Sequence, residues 1–151
     1  MSIADHPASV DKTSLQAFRT AIAGKYELHI QAFKDANLNL LLDTFFHEDA
    51  LWAGPFPTPN TVVQGRKQLE DFFVHVIDCQ LIDPIVSIFS FVEGNAGFDH
   101  TVYRTRPRPG YDGPHESKNL RFHCTFNWVR TAGDWKVIGV TSYMTEVEAN
   151  D

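Results

Sequence analysis

The 151-residue sequence has little sulfur, a shortage of positive charge and no long hydrophobic run, and each shortage closes off a class of protein. Its two cysteines, Cys79 and Cys124, lie far apart and form neither a disulfide framework nor a metal-ligand spacing. Both are therefore expected to be reduced and buried as small hydrophobes. Thirteen Lys and Arg against nineteen Asp and Glu leave a formal charge of -6. That balance argues against a nucleic-acid backbone or an anionic membrane surface as the main partner, since both need clustered cations. No stretch approaches the roughly 18 consecutive apolar residues of a membrane span. The opening "MSIADHPASVDK" has no charged region leading into an apolar run, so a cytoplasmic protein is expected. H-x-x-x-H and C-x-x-C patterns are missing, so no metal site is suggested, and no G-x-S-x-G pattern or glycine-rich phosphate loop is present.

What the sequence does hold is aromatic bulk, with 12 Phe, 4 Tyr and 3 Trp in a chain that is 43% hydrophobic. That is enough for one domain with a substantial core or an aromatic-lined cavity. Residues 1–12 are polar and aperiodic and are expected to be a flexible lead-in, 13–146 form the domain, and 147–151 are a tail. "TSLQ" reads as a capping box with Thr13 as N-cap. Leu15, Phe18, Ile22, Tyr26, His29, Ile30 and Phe33 then share one helical face. Asn37 can cap a short second helix whose Leu38, Leu41, Leu42 and Phe45 recur at helical spacing. "DALWAGPFPTPN", residues 49–60, cannot be helical because of its prolines, and reads as an edge strand that turns at "PTPN" into "TVVQG". A third helix runs over "RKQLEDFFVHVI".

After Pro84 the period changes to two, and "IVSIFSFVE", "FDHTVYRTR", "NLRFHCTFNWVR" and "WKVIGVTSYMTE" read as four antiparallel strands. The clearest alternation sets Leu120, Phe122, Cys124, Phe126 and Trp128 against Asn119, Arg121, His123, Thr125 and Asn127. The connection "PRPGYDGPHESK" is long for a hairpin and is read as a lid, a dimer arm or a mobile loop.

Three motifs in order, "FFHEDALWAGP", "GRKQLEDFF" and "FNWVRTAGDWKVIGVTS", make the chain resemble the SnoaL-like branch of the nuclear transport factor 2-like superfamily. Ketosteroid isomerase and scytalone dehydratase share that fold. The resemblance implies an α+β fold in which three helices pack in the concave face of a curved, mostly antiparallel sheet, a cone-shaped barrel around an apolar pocket. It also implies cofactor-independent acid–base chemistry of an isomerase, cyclase or dehydratase on a hydrophobic small molecule. The alternative is a binding or dimerising module that kept the pocket and lost the chemistry. A homodimer formed through the outer face of the sheet is implied as well.

Carried across residue by residue, the isomerase's base position falls on Gly54, which has no proton to move. Its oxyanion-hole tyrosine falls at or near His29, which is either a core histidine bonded to a carbonyl or a pocket acid or base. Its second acid falls ambiguously on Thr125 or Phe126. Asp99 and Tyr103 share one strand face and are turned inward here, because Arg104 and Arg106 on other positions are easier to solvate; Asp99 is then either the missing carboxyl or a solvated strand-start residue. The expected catalytic set is His29, Asp99 and Tyr103, and the expected ligand-binding set is Tyr26, Trp52, Gly54, Phe56, Phe73, Phe126 and Trp128. His123 and Arg121 are expected to face solvent or a partner subunit, His47, Glu48 and Asp49 to form a solvated cluster at a helix end, and His115 to lie at the surface.

Overall fold

Helical spacing of apolar residues, followed by strict alternation, becomes three helices and a seven-stranded sheet in a computed structural model that describes residues 12–55, 58–115 and 117–148. The lead-in up to residue 11 and Phe56 fall outside the described residues. Helix α1 runs Lys12–Lys34, so Thr13 stands inside its first turn rather than as the capping residue. Phe18, Ile22, Tyr26, His29 and Phe33 are buried on one face, as a 3.6-residue period requires. The chain then turns through Ala36, which takes a positive φ of 50°, into α2, Leu38–Thr44. Asn37 caps that helix, its side-chain oxygen accepting the Leu40 N–H at 3.0 Å.

Strand β1, Phe46–Gly54, pairs antiparallel with β2, Thr61–Gln64, and parallel with β7, Asp134–Glu146. The expected edge strand is thus an interior one, and β2 is the edge. The cause is topological: the second partner of β1 comes from the far end of the chain, where no local pattern announces the pairing. His47, Glu48 and Asp49 accordingly lie in β1 rather than at a helix end. Helix α3, Gly65–Cys79, buries Leu69, Phe73 and Ile77. The three-residue β3, Gln80–Ile82, follows it directly and was not foreseen.

Strands β4 (Val86–Glu93), β5 (Ala96–Pro107), β6 (Leu120–Thr131) and β7 form the expected antiparallel run. The sheet order is β2-β1-β7-β6-β5-β3, with β4 sharing β5's outer edge with β3. Between β6 and β7 the turn residues Ala132 and Gly133 both have positive φ, the pairing that matches a tight hairpin to the twist of its strands. The buried cluster of helix and sheet residues fills the concave side. Leu120, Phe122, Cys124, Phe126 and Trp128 of β6 all point into it. At the C-terminal end, Val147 N–H donates to Asn119 and Arg104 donates to the Glu148 carbonyl, so the tail is tied to the sheet as far as residue 148. Cys79 and Cys124 are free and buried. Among the described residues no helix is long and apolar enough to cross a membrane.

Candidate functional site

The helices close over the sheet around a cavity of about 50 Å³. Its wall takes His29 and Phe33 from α1, Phe46 and Trp52 from β1, Phe72, Phe73, Val76 and Cys79 from α3, Gln80 and Ile82 from β3, Tyr103 and Thr105 from β5, and Leu120, Phe122 and Phe126 from β6. Among the described residues the lining contains no Lys, Arg, Asp or Glu. Of the side chains singled out in the sequence, His29, Tyr103, Trp52, Phe73 and Phe126 meet here, whereas Tyr26, Asp99, Gly54 and Trp128 do not line it.

His29 is only 3% exposed, and neither ring nitrogen has a hydrogen-bond partner among the described residues. Its imidazole packs against Phe45 at 4.4 Å and Phe33 at 5.3 Å between ring centroids. Burial without a compensating partner disfavours the charged ring and lowers its pKa to about 3. At neutral pH His29 is therefore an uncharged imidazole, one nitrogen a donor and the other an acceptor. Tyr103 lies stacked on Phe122 at 5.4 Å, and its hydroxyl oxygen accepts a hydrogen bond from Cys124 Sγ at 3.5 Å. Burial, reinforced by Cys124, pushes the Tyr103 phenol well above its usual range, so it too stays protonated. The Cys124 thiol is itself pushed up to about 12 by burial.

Asp99 faces inward but sits away from the cavity, fully buried in a nest of hydroxyls. Tyr26 donates to its Oδ2 at 2.5 Å and Ser87 to the same oxygen at 2.6 Å, while Ser90 donates to Oδ1 at 2.7 Å. Three O–H donors on one carboxyl is the pattern of an acceptor-only group, which offsets the cost of taking it out of water. Burial first and Asp99 second raise the Tyr26 pKa far above the ordinary phenol value. The cluster ties α1 to β4 and β5 one helical turn before His29, so Tyr26 and Asp99 hold the helix that carries the cavity imidazole. They are placed to position it rather than to touch a ligand.

No protein-family model matches the chain, and neither does any curated protein. Solved structures do. A ketosteroid isomerase-like protein from Erwinia carotovora atroseptica superposes with a TM-score of 0.68 at 13% identity, covering 91% of this chain and 100% of that one. A nuclear transport factor 2-like protein of unknown function from Pseudomonas putida gives 0.64 at 16% identity over 89% of each chain. A type 2 hexachlorocyclohexane dehydrochlorinase gives 0.64 at 16% identity over 92% of this chain and 95% of that one. The chain has the nuclear transport factor 2-like fold.

Within that fold, the position expected to carry a base is Gly54, and the structure gives a reason for the glycine. A Cβ built there would overlap the Ser142 hydroxyl and lie 2.7 Å from Cη2 of Trp52. The Trp52 indole, tilted against the Phe72 ring at 4.5 Å between centroids, fills the space that a side chain at 54 would need. Gly54 instead borders a shallow, open groove with Pro55, Val62, Ser142 and Tyr143. On the outer face of the sheet His123 is half-buried, 5.4 Å from the Tyr143 ring, and so faces away from the cavity.

The long connection after β5 is fastened at both ends. Arg108 donates to the carbonyls of Phe33 and Lys34 at the end of α1 and of Ile77 and Asp78 at the end of α3, and Ser117 donates to Cys79 O at 2.7 Å. His115 of this loop is exposed, its ring 4.1 Å from that of His75. Among the lining residues outside the expected site set, those with polar or sulfur atoms are Cys79, Gln80 and Thr105. Thr105 shares strand parity with Tyr103 and was within reach of that argument; Gln80 and Cys79 lie at a helix-to-strand junction with no periodic signal. Among the described residues no three His, Cys, Asp or Glu side chains come together in a way that could hold a metal ion.

Proposed function

We propose that this chain is a cofactor-independent enzyme of acid–base chemistry, an isomerase, cyclase or dehydratase, acting in the cytoplasm on an apolar small molecule held in the cavity. The observation that carries the reading is His29: a 3% exposed imidazole, both nitrogens unpaired among the described residues, at the wall of a mostly apolar cavity. A buried unsatisfied polar group costs about 1–3 kcal/mol, a cost that a bound ligand's polar atom would remove. With a pKa of about 3 the resting ring is a weak base at neutral pH, since proton transfer is most effective when the two are close. Its role is therefore to bond charge as it develops on the substrate, taking a proton only when a neighbouring negative charge raises its basicity. Tyr103, held protonated, is the second group of this kind.

The alternative, a binding module without turnover, is favoured by two observations: Gly54 leaves the expected base position empty of a side chain, and the buried carboxyl of Asp99 is engaged elsewhere. A homodimer through the outer sheet face remains part of the proposal; Tyr143 and Phe89, 59% and 56% exposed, lie on that face. Sedimentation showing monomer alone at tens of micromolar, an order-of-magnitude choice for a weak pair, would remove the dimer.

NMR of the His29 ring nitrogens separates these readings from a purely structural histidine. Expected is a neutral ring through pH 5 whose nitrogen shifts move when an apolar ligand is added; a ring that titrates normally and ignores every ligand overturns the assignment.

A further inference from the structure

The polar atoms at the cavity wall define what it can hold, and the inference rests on the reading of His29 as a ligand group. Gln80 is already satisfied: with its amide nitrogen turned toward the carbonyls of Lys118 and Arg106 it donates at 3.2 and 3.0 Å, and its oxygen accepts the Lys118 N–H. The Thr105 hydroxyl has no partner among the described residues and is buried at 6% exposure. The Tyr103 oxygen accepts from Cys124 Sγ, which occupies a lone pair and leaves the phenolic proton to be given away. Sulfur is a weak acceptor, so that proton prefers an oxygen or nitrogen placed in the cavity.

Three donors thus await an acceptor: the Tyr103 O–H, the Thr105 O–H and the N–H of His29. Among the described residues no cation lines the wall to pair a carboxylate or phosphate, and no carboxylate lines it to pair an amine. Burying an unpaired ligand charge would cost far more than one hydrogen bond returns. Size is the remaining restriction. The volume of about 50 Å³ is a third of the roughly 150 Å³ in which an engineered protein cavity holds benzene, so the wall must already give to admit a five-membered ring and must give much more for a fused-ring molecule.

We propose that the cavity selects a compact, uncharged molecule carrying one acceptor oxygen, a small ketone being the simplest case, with the Tyr103 hydroxyl donating to that oxygen. Cys124 is then a positioning residue, acting through Tyr103 by fixing which way the phenolic proton points.

The test is a chemical-shift titration of the His29 and Tyr103 ring signals with cyclopentanone, cyclopentane, cyclopentanecarboxylate and 2-decalone. Cyclopentanone is expected to bind about two- to tenfold more tightly than cyclopentane, the worth of one neutral hydrogen bond, with the carboxylate undetectable and decalone weaker than cyclopentanone. Tyr103→Phe is expected to bring the ketone-to-hydrocarbon ratio to about one. Cys124→Ala lowers the ratio, and Cys124→Ser, which restores a donor, recovers it. Equal binding of ketone and hydrocarbon, or preference for the carboxylate or decalone, overturns the ligand class while leaving His29 as a ligand group. Failure of Cys124→Ser to exceed Cys124→Ala overturns the positioning role. If no probe moves either ring, the ligand class and the reading of His29 fall together.

Discussion

Replacing His29 with phenylalanine is expected to stabilise the protein while abolishing ligand response. The structure supplies both parts of the magnitude. At neutral pH the substitution removes two buried ring nitrogens that have no partner among the described residues. It replaces them with carbon among aromatic neighbours, and the slightly larger ring can expand into the adjoining cavity of about 50 Å³. Recovering the desolvation cost of unpaired groups is worth roughly 1–3 kcal/mol, or about 2–4 °C in Tm per kcal/mol for a chain of this size. The second part is pH dependence. The unfolded imidazole takes up a proton below pH 6.5, but the folded one does so only near pH 3, because burial opposes its charge. Between those values the unfolded state binds more protons, so stability is fully present above pH 6.5 and is lost as pH falls toward 3. From this group the wild type should lose about 2 kcal/mol between pH 7 and pH 5. His29→Phe should lack that component, and the difference between the two proteins cancels the other histidines. Urea unfolding at pH 7 and pH 5 measures both parts. A variant less stable than wild type at pH 7, with an unchanged pH slope, would refute an unpaired neutral imidazole.

Three further outcomes follow from the same geometry. Gly54→Ala should cost about 1–3 kcal/mol by overpacking, and Ser142→Ala added to it should recover part of the loss in urea unfolding; full stability of the single variant would mean that Trp52 and Ser142 do not crowd position 54. Tyr26→Phe should cost about 1.5–3 kcal/mol, the range for a hydrogen bond to a charged group, and should weaken the NMR response of His29 to ligand because α1 loses its tie to Asp99. Arg108→Ala leaves four helix-terminal carbonyls without their shared cation and should cost about 2–3 kcal/mol, with limited proteolysis showing faster cleavage in the loop between β5 and β6.

The fold was largely readable because its signals are local. The single-face stripe of α1 and the alternation of β6 each fit within one element, and both are found where their periods put them. The parallel pairing of β1 with β7 was not readable, because Trp52 meets Val140 across almost ninety residues. Nor was β3, three residues long and continuous with the end of α3. Parity gave the inward face of Asp99 and Tyr103 but not their separate fates: Tyr103 reaches the cavity, while Asp99 is claimed by Tyr26, Ser87 and Ser90 from two other elements. The glycine at 54 was legible as a missing side chain, but its cause, the Trp52 ring lying over it, needed coordinates.

The most direct measurement is a crystal structure of the chain soaked in cyclopentanone. Expected is ligand density between His29 and Tyr103, with the ketone oxygen at hydrogen-bond distance from the Tyr103 hydroxyl. Density confined to the shallow groove beside Gly54, or a His29 ring already hydrogen-bonded to the protein, would contradict the account.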